Sequence, residues 1–290
     1  MGQKVLARGV RRTILFVMFR FAALFLALGV ALPAQAQLRQ PSHCIAVAEG
    51  PERVMTASFR DPVPENSVRI RYVDHAMFLL QTPGGLSAMT DFTGWFGNVD
   101  FIPDVVTMNN AHSTHWTSAP DPAIPHVLEG WTRDGQAAEH YLDLGEMLVR
   151  NVPTDVLPRG MGGVPRVDGN SIFVFEVAGL CIGHLGHLHH EPTPEDYAML
   201  GRMDVVMVAV DGGLTLDIGT VLSVMERLRS SVVIPMHWFG RSTLDLFLVG
   251  MEEAGYDVER TGQSDLTVSL RDLPDRPTVM VLEPQILTEP

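Results

Sequence analysis

From residue 67 onward, short apolar runs alternate with turn-forming residues. The runs predict strands over 67–72, 77–82, 86–90, 105–108, 171–177, 180–182, 205–209 and 232–235. Pro83-Gly84-Gly85 separates the second from the third, which predicts a tight turn and an antiparallel hairpin. Helices come later. Thr193-Pro194-Glu195-Asp196 reads as an N-cap, a proline at the first helical position and an acidic first turn, giving a helix through Leu200 that stops near Gly201. Ile218, Val221, Leu222, Met225 and Leu228 form a helical stripe over 217–228. Leu244, Phe247, Leu248 and Met251 form another over 242–254, with Gly255 as its stop. The Pro- and Gly-rich stretch 152–168 has no clear period and is expected to be a surface loop at the site mouth, or else a plain connector. No repeat or linker divides the chain, so the pattern describes one α/β domain over 37–290.

The first 36 residues follow a different logic. Lys4, Arg8, Arg11, Arg12 and Arg20 give a basic start, an apolar run extends from Ile14 to Leu32, and Ala34-Gln35-Ala36 offers a small-x-small cleavage sequence. The run is nearly long enough to span a bilayer as a retained anchor, but its ending favours a cleaved signal peptide and a periplasmic product. Without those residues the net charge moves from −13 to about −18. Such a surface repels phosphate backbones, which argues against a nucleic-acid partner and fits a small-molecule substrate. The two cysteines, Cys44 and Cys181, have neither the number nor the spacing of a Cys-based zinc site. A disulfide is permitted by the compartment, and Cys181, inside an apolar run, is expected to be a buried thiol.

Chemistry concentrates in the histidines. His43, His126 and His140 stand apart and are expected at the surface. His112 and His115 follow the run at 105–108; His184, His187, His189 and His190 follow the run ending at Ile182; His237 follows the run at 232–235. Three strand ends each deliver histidine to a loop, an arrangement suited to shared coordination of a cation and hard to explain by packing. A cluster sensing pH through protonation would account for the grouping but not for its placement at strand ends.

Several stretches then carry a family likeness. Asp74-His75-Ala76-Met77 resembles a Gly-His-Ala strand opening, and Thr90-Asp91-Phe92 resembles an Asp-Pro element. Asn110-Ala111-His112-Ser113-Thr114-His115 falls where an H-x-H-x-D-H motif would stand. Gly183-His184-Leu185-Gly186-His187, Asp204–Gly213 and Ile234-Pro235-Met236-His237 follow in order. The chain resembles the metallo-β-lactamase superfamily, in particular its ascorbate-phosphate lactonase-like branch of metal-dependent hydrolases. That resemblance implies an αββα four-layer sandwich with two metals at one edge. It maps Asn110, His112, His115, His184, His187 and His237 onto ligand positions, and Thr114 onto an aspartate.

Asparagine, threonine and histidine replace a histidine and two aspartates at Asn110, Thr114 and His187. With both anionic ligands gone, two cations would repel with little neutralisation, so one tightly held divalent metal is expected, with zinc first and manganese or nickel as alternatives. Asp91, and less so Asp211, would restore negative charge, while His189 and His190 are either accessory ligands or solvent-facing. The implied activity is hydrolysis of an ester, lactone or phosphoester by a metal-activated water, with Asp91 or His75 as proton shuttle. The missing carboxylates motivate the alternative of a non-catalytic metal- or ligand-binding relative. Trp116 and Trp238 are either pocket walls or packing.

Overall fold

The computed structural model describes residues 58–158 and 163–289, so the expected signal peptide, His43 and Cys44 lie outside the described residues. Fourteen strands and three helices are described: β1 (Ser67–Asp74), β2 (Met77–Gln81), β3 (Ser87–Met89), β4 (Val105–Met108), β5 (His126–Glu129), β6 (Tyr141–Asp143), β7 (Met147–Val156), β8 (Arg166–Val177), β9 (Leu180–His184), α1 (Pro194–Leu200), β10 (Val205–Ala209), α2 (Ile218–Leu228), β11 (Val232–Met236), α3 (Arg241–Glu253), β12 (Asp257–Arg260), β13 (Asp265–Ser269) and β14 (Thr278–Val281). One sheet has the order β13-β1-β2-β3-β4-β5 and the other β12-β14-β11-β10-β9-β8-β7-β6.

The apolar runs are continuous because the inner strands are covered on both faces. Along β8, Phe173, Phe175 and Val177 point between the sheets, while Ile172 and Val174 point toward the helices. β10 divides the same way, with Val205, Met207 and Ala209 inward and Val206 and Val208 toward the helices. β2 sends Phe78 and Leu80 between the sheets and Met77 and Leu79 to its outer face. The described helices cover the eight-stranded sheet through Val221, Val224, Met225, Leu244, Phe247 and Met251. The outer face of the six-stranded sheet is covered by irregular segments carrying Phe59, Phe92, Trp116, Ile124 and Leu287. No helix among the described residues is long and apolar enough to cross a membrane.

The helix signals act as read. Thr193 caps α1 through a capping box with Asp196, and Asp217 caps α2 by accepting from the Thr220 amide. β2 and β3 form the expected antiparallel pair. The stretch 152–168 departs from expectation, since β7 runs to Val156 and β8 begins at Arg166, pairing antiparallel over most of their length. Pro153 sits inside β7 opposite Ser171, which is why the segment reads as a loop in sequence. Cys181 also differs: it is disulfide-bonded, and the chain holds one other cysteine, Cys44.

Parallel pairing positions the chemistry. β9, β10 and β11 run parallel, as do β3 and β4. Their carboxyl ends therefore open at shared sheet edges, the usual place for ligand sites in such sheets.

Candidate metal centre

Six imidazoles gather at these strand ends. His75 stands in the β1–β2 turn, His112 and His115 in the loop after β4, His187 and His189 in the loop after β9, and His237 directly after β11. The His115 ring centroid lies 5.1 Å from that of His237, 4.7 Å from His187 and 5.8 Å from His112. His75 lies 3.9 Å from His237 between centroids. Two groups each bring one ligand atom per residue within 4.8 Å: His75, His115 and His237, and His112, His115 and His187. His115 belongs to both.

Buried carboxylates back two of these rings. Asp91 Oδ2 lies 2.5 Å from His115 Nδ1, and Asp91 Oδ1 accepts from the Asn109 amide at 2.9 Å. Asp211 Oδ2 lies 2.9 Å from His237 Nδ1, while Asp211 also accepts from the amides of Gly213, Leu214 and Thr215. At His115, the carboxylate at Nδ1 holds the proton there and turns the Nε2 lone pair toward the centre. The two Nε2 atoms, of His115 and His237, face each other at 3.1 Å. His187 Nδ1 lies 2.7 Å from His189 Nε2, and its amide donates to Asn170 Oδ1 at 3.0 Å.

Burial sets the protonation states. It pushes His75 down to about 3 and His187 to about 2, with neighbouring histidines adding to the shift. His115 and His184 are lowered by burial too. Burial thus favours the neutral form of these four rings. Burial raises Asp91 to about 7, against the opposing influence of His184 and the Asn109 amide. Burial also favours neutral Asp211, but hydrogen bonds from His237, Thr215 and Gly213 hold it below the ordinary carboxylate range.

The structure redistributes the expected roles. His184 has both ring nitrogens against protein partners, Nε2 at 2.8 Å from Ala76 O and Nδ1 at 3.1 Å from Asn109 Nδ2, outside either three-histidine group. Asn110 turns its Oδ1 to an Arg166 guanidinium N–H at 2.6 Å. Asp91 is fully buried and reaches inward to His115 and Asn109, which suits an anchor for the His115 ring. His75, expected as a shuttle, stands among the clustered rings with a buried Nε2 lacking a hydrogen-bond partner. Thr114 Oγ1 lies 3.1 Å from His112 Nδ1. His190 receives the Asp155 amide and stands apart. Trp116 packs on Trp131, and Trp238 on Tyr72. Asp211 was the weaker of two carboxylate candidates in sequence, yet it occupies a position equivalent to that of Asp91.

The residues present fit a metal. Three imidazoles converge per group, an inward-facing Nε2 pair is backed by carboxylates, and the His75 Nε2 is otherwise unpartnered. A family model for the β-lactamase superfamily domain matches residues 69–237, more than half the chain. The chain belongs to the metallo-β-lactamase superfamily. It is 22% identical over 214 residues to a UPF0173 metal-dependent hydrolase from Methanosphaerula palustris, covering 69% of this chain and 96% of that protein. Among solved structures it is similar to a candidate Zn-dependent hydrolase of the superfamily from Thermotoga maritima, at TM-score 0.52 and 24% identity, covering 75% of this chain and all of that one. It is also similar to a candidate metal-dependent hydrolase from Parabacteroides distasonis, at TM-score 0.53 and 15% identity, covering 66% and 91%. At these identities the structural likenesses establish the fold.

Proposed function

We propose that this chain is a metal-dependent hydrolase cleaving an ester, lactone or phosphoester in a small molecule. The observation that carries the reading is the convergence of His75, His112, His115, His187, His189 and His237 on one rim, with Asp91 and Asp211 fixing two of the rings from behind. A divalent cation bound there supplies a Lewis acid and an acidified water. Zinc is our reading of its identity, supported by the imidazole-rich set and by the description of the Thermotoga maritima relative. The His187–His189 contact gives a proton a path from His187 Nδ1 to a half-buried ring. Exposed Phe239, 5.4 Å from the rings of both His75 and His237, offers an apolar wall for part of a substrate. The substrate in this reading is a small ester, lactone or phosphoester, and the basic, apolar start of the chain supports action in the periplasm.

The test is elemental analysis of purified protein followed by assays on lactone, aryl-ester and phosphodiester panels. We expect about one zinc per chain, and turnover that is lost with the metal and in His115→Ala. Full metal loading without turnover on any panel would overturn hydrolysis and return the chain to the non-catalytic binding reading.

A further inference from the structure

Which imidazoles hold the cation can be argued from the geometry. We infer that the metal seat is His75, His115 and His237, and that His112, His187 and His189 stand outside the ligand set. The inference rests on the metal reading above; it keeps His115 and His237 from the positions that the sequence resemblance implies and adds His75 in place of the others.

His115 Nδ1 is bonded to Asp91 and His237 Nδ1 lies 2.9 Å from Asp211 Oδ2, while their Nε2 atoms meet at 3.1 Å. Ring nitrogens at that distance share either a proton or a cation, and two ligands of one cation stand about this far apart. His75 is the nearest third ring, 3.9 Å from His237 between centroids, and its buried Nε2 has no hydrogen-bond partner. An unmade hydrogen bond of this kind costs about 1–3 kcal/mol, which ligation would remove.

The backbone marks two of these rings and the carboxylate behind the third. His75 (φ 46°), Asp91 (φ 42°) and His237 (φ 62°) all hold the left-handed conformation, which non-glycine residues adopt at a cost of about 1–2 kcal/mol. The His75 carbonyl accepts from the His237 amide at 2.9 Å and from the Tyr72 hydroxyl at 2.6 Å, so one hub ties the two strained turns together. Three of the eight non-glycine residues with positive φ among those described meet at this focus, which fits a position built for ligation.

The competing group must share His115. With Nδ1 committed to Asp91, His115 offers one lone pair and can serve one cation at a time. His187 is already engaged with His189, and His112 is exposed with Thr114 beside it. The inner seat keeps both carboxylate-backed rings, whereas the outer group has one. His112, His187 and His189 are then left facing the substrate side.

The test uses the full purified protein, stripped with chelator and titrated with Co(II), reading affinity and the visible absorption bands. Asparagine tolerates positive φ, so His75→Asn probes the ligand without breaking the turn. We expect His75→Asn to weaken Co(II) binding by more than about 100-fold and to alter the bands. His112→Ala should bind within about 3-fold of the parent with unchanged bands. Circular dichroism of the stripped variants checks that each is folded. Bands preserved in His75→Asn but lost in His112→Ala or His187→Ala would overturn the assignment. Loss of turnover with the bands intact would touch only the hydrolase reading, and a parent protein that binds no Co(II) would end both.

Discussion

Asp91 Oδ2 sits 2.5 Å from His115 Nδ1, and both side chains are wholly shielded from solvent. A carboxylate so placed orients the ring and raises the basicity of its far nitrogen. Asp91→Asn keeps the volume but removes the charge. We expect its zinc affinity to fall about 10–100-fold, measured by competition with a chromophoric chelator. Unchanged affinity would reduce Asp91 to packing.

Chelation should lower stability, because the cation binds the folded state alone. At metal concentrations about 100-fold above Kd, the folded state gains about 2.7 kcal/mol. Thermal scans with and without EDTA should show a lower Tm in the stripped protein, with the gap narrowing in His75→Asn. Equal melting temperatures would contradict a metal bound in the fold.

The stripped protein should also lose stability in acid. Burial lowers His75 to about 3 and His187 to about 2, and lowers His115 and His184 as well. Unfolded, these rings take up protons near pH 6.5. Between about pH 3 and 6.5 the unfolded chain therefore binds more protons, and stability rises with pH. Asp91 works in the opposite direction, since its folded value of about 7 favours the folded state at low pH. Four rings against one carboxyl leave the rise dominant. Urea midpoints from pH 4 to 7 should climb, and His187→Gln should flatten the climb. A profile falling toward neutrality would show that the rings are not buried neutral.

Sequence reached most of the strands because inner strands covered on both faces leave unbroken apolar runs, as at Val205–Ala209. β7 escaped because its burial alternates and Pro153 lies within it. The short strands after α3 were also missed, including the mostly exposed β12. Histidine clustering at strand ends was visible, but the identity of the converging rings depends on turns. His184 still belongs to β9, with the parity of Leu180 and Ile182, so it points between the sheets. That parity could have separated it from His187, which lies beyond the strand. The position of His75 depends on a left-handed turn and a shared carbonyl, and no side-chain pattern encodes either.

Glu176 on β8 meets Arg150 on β7 at 2.9 Å, both nearly buried. Arg150 also donates to the carbonyls of Met199 and Leu200, tying the end of α1 to the sheet. Glu176→Gln leaves the guanidinium charge buried without its counterion, and breaking such a pair costs about 3–5 kcal/mol. Urea unfolding should show a loss of that order, with metal stoichiometry retained in the folded fraction. A loss below about 1 kcal/mol would mean that the pair behaves as a surface ion pair.

Gly186 links the fold to the centre most directly. It lies between His184 and His187 with φ +60°, and a Cβ there would meet Asn109 Nδ2 at 2.1 Å and Asn109 Cβ at 2.6 Å. Asn109 cannot yield cheaply, because its amide holds Asp91 and its side chain holds Ser171 O and His184. Gly186→Ala therefore adds a left-handed penalty of about 1–2 kcal/mol to a collision in a packed region. The displacement would pass through Asn109 to Asp91, and from Asp91 to His115. Expected outcomes are a loss of about 2 kcal/mol or more in urea unfolding and weakened Co(II) binding in the folded protein. Gly262→Ala serves as the control, since its φ is also positive at +63° but a Cβ there meets nothing within 4 Å. If both variants bound Co(II) alike, the contact between Gly186 and Asn109 would carry no information to the metal centre.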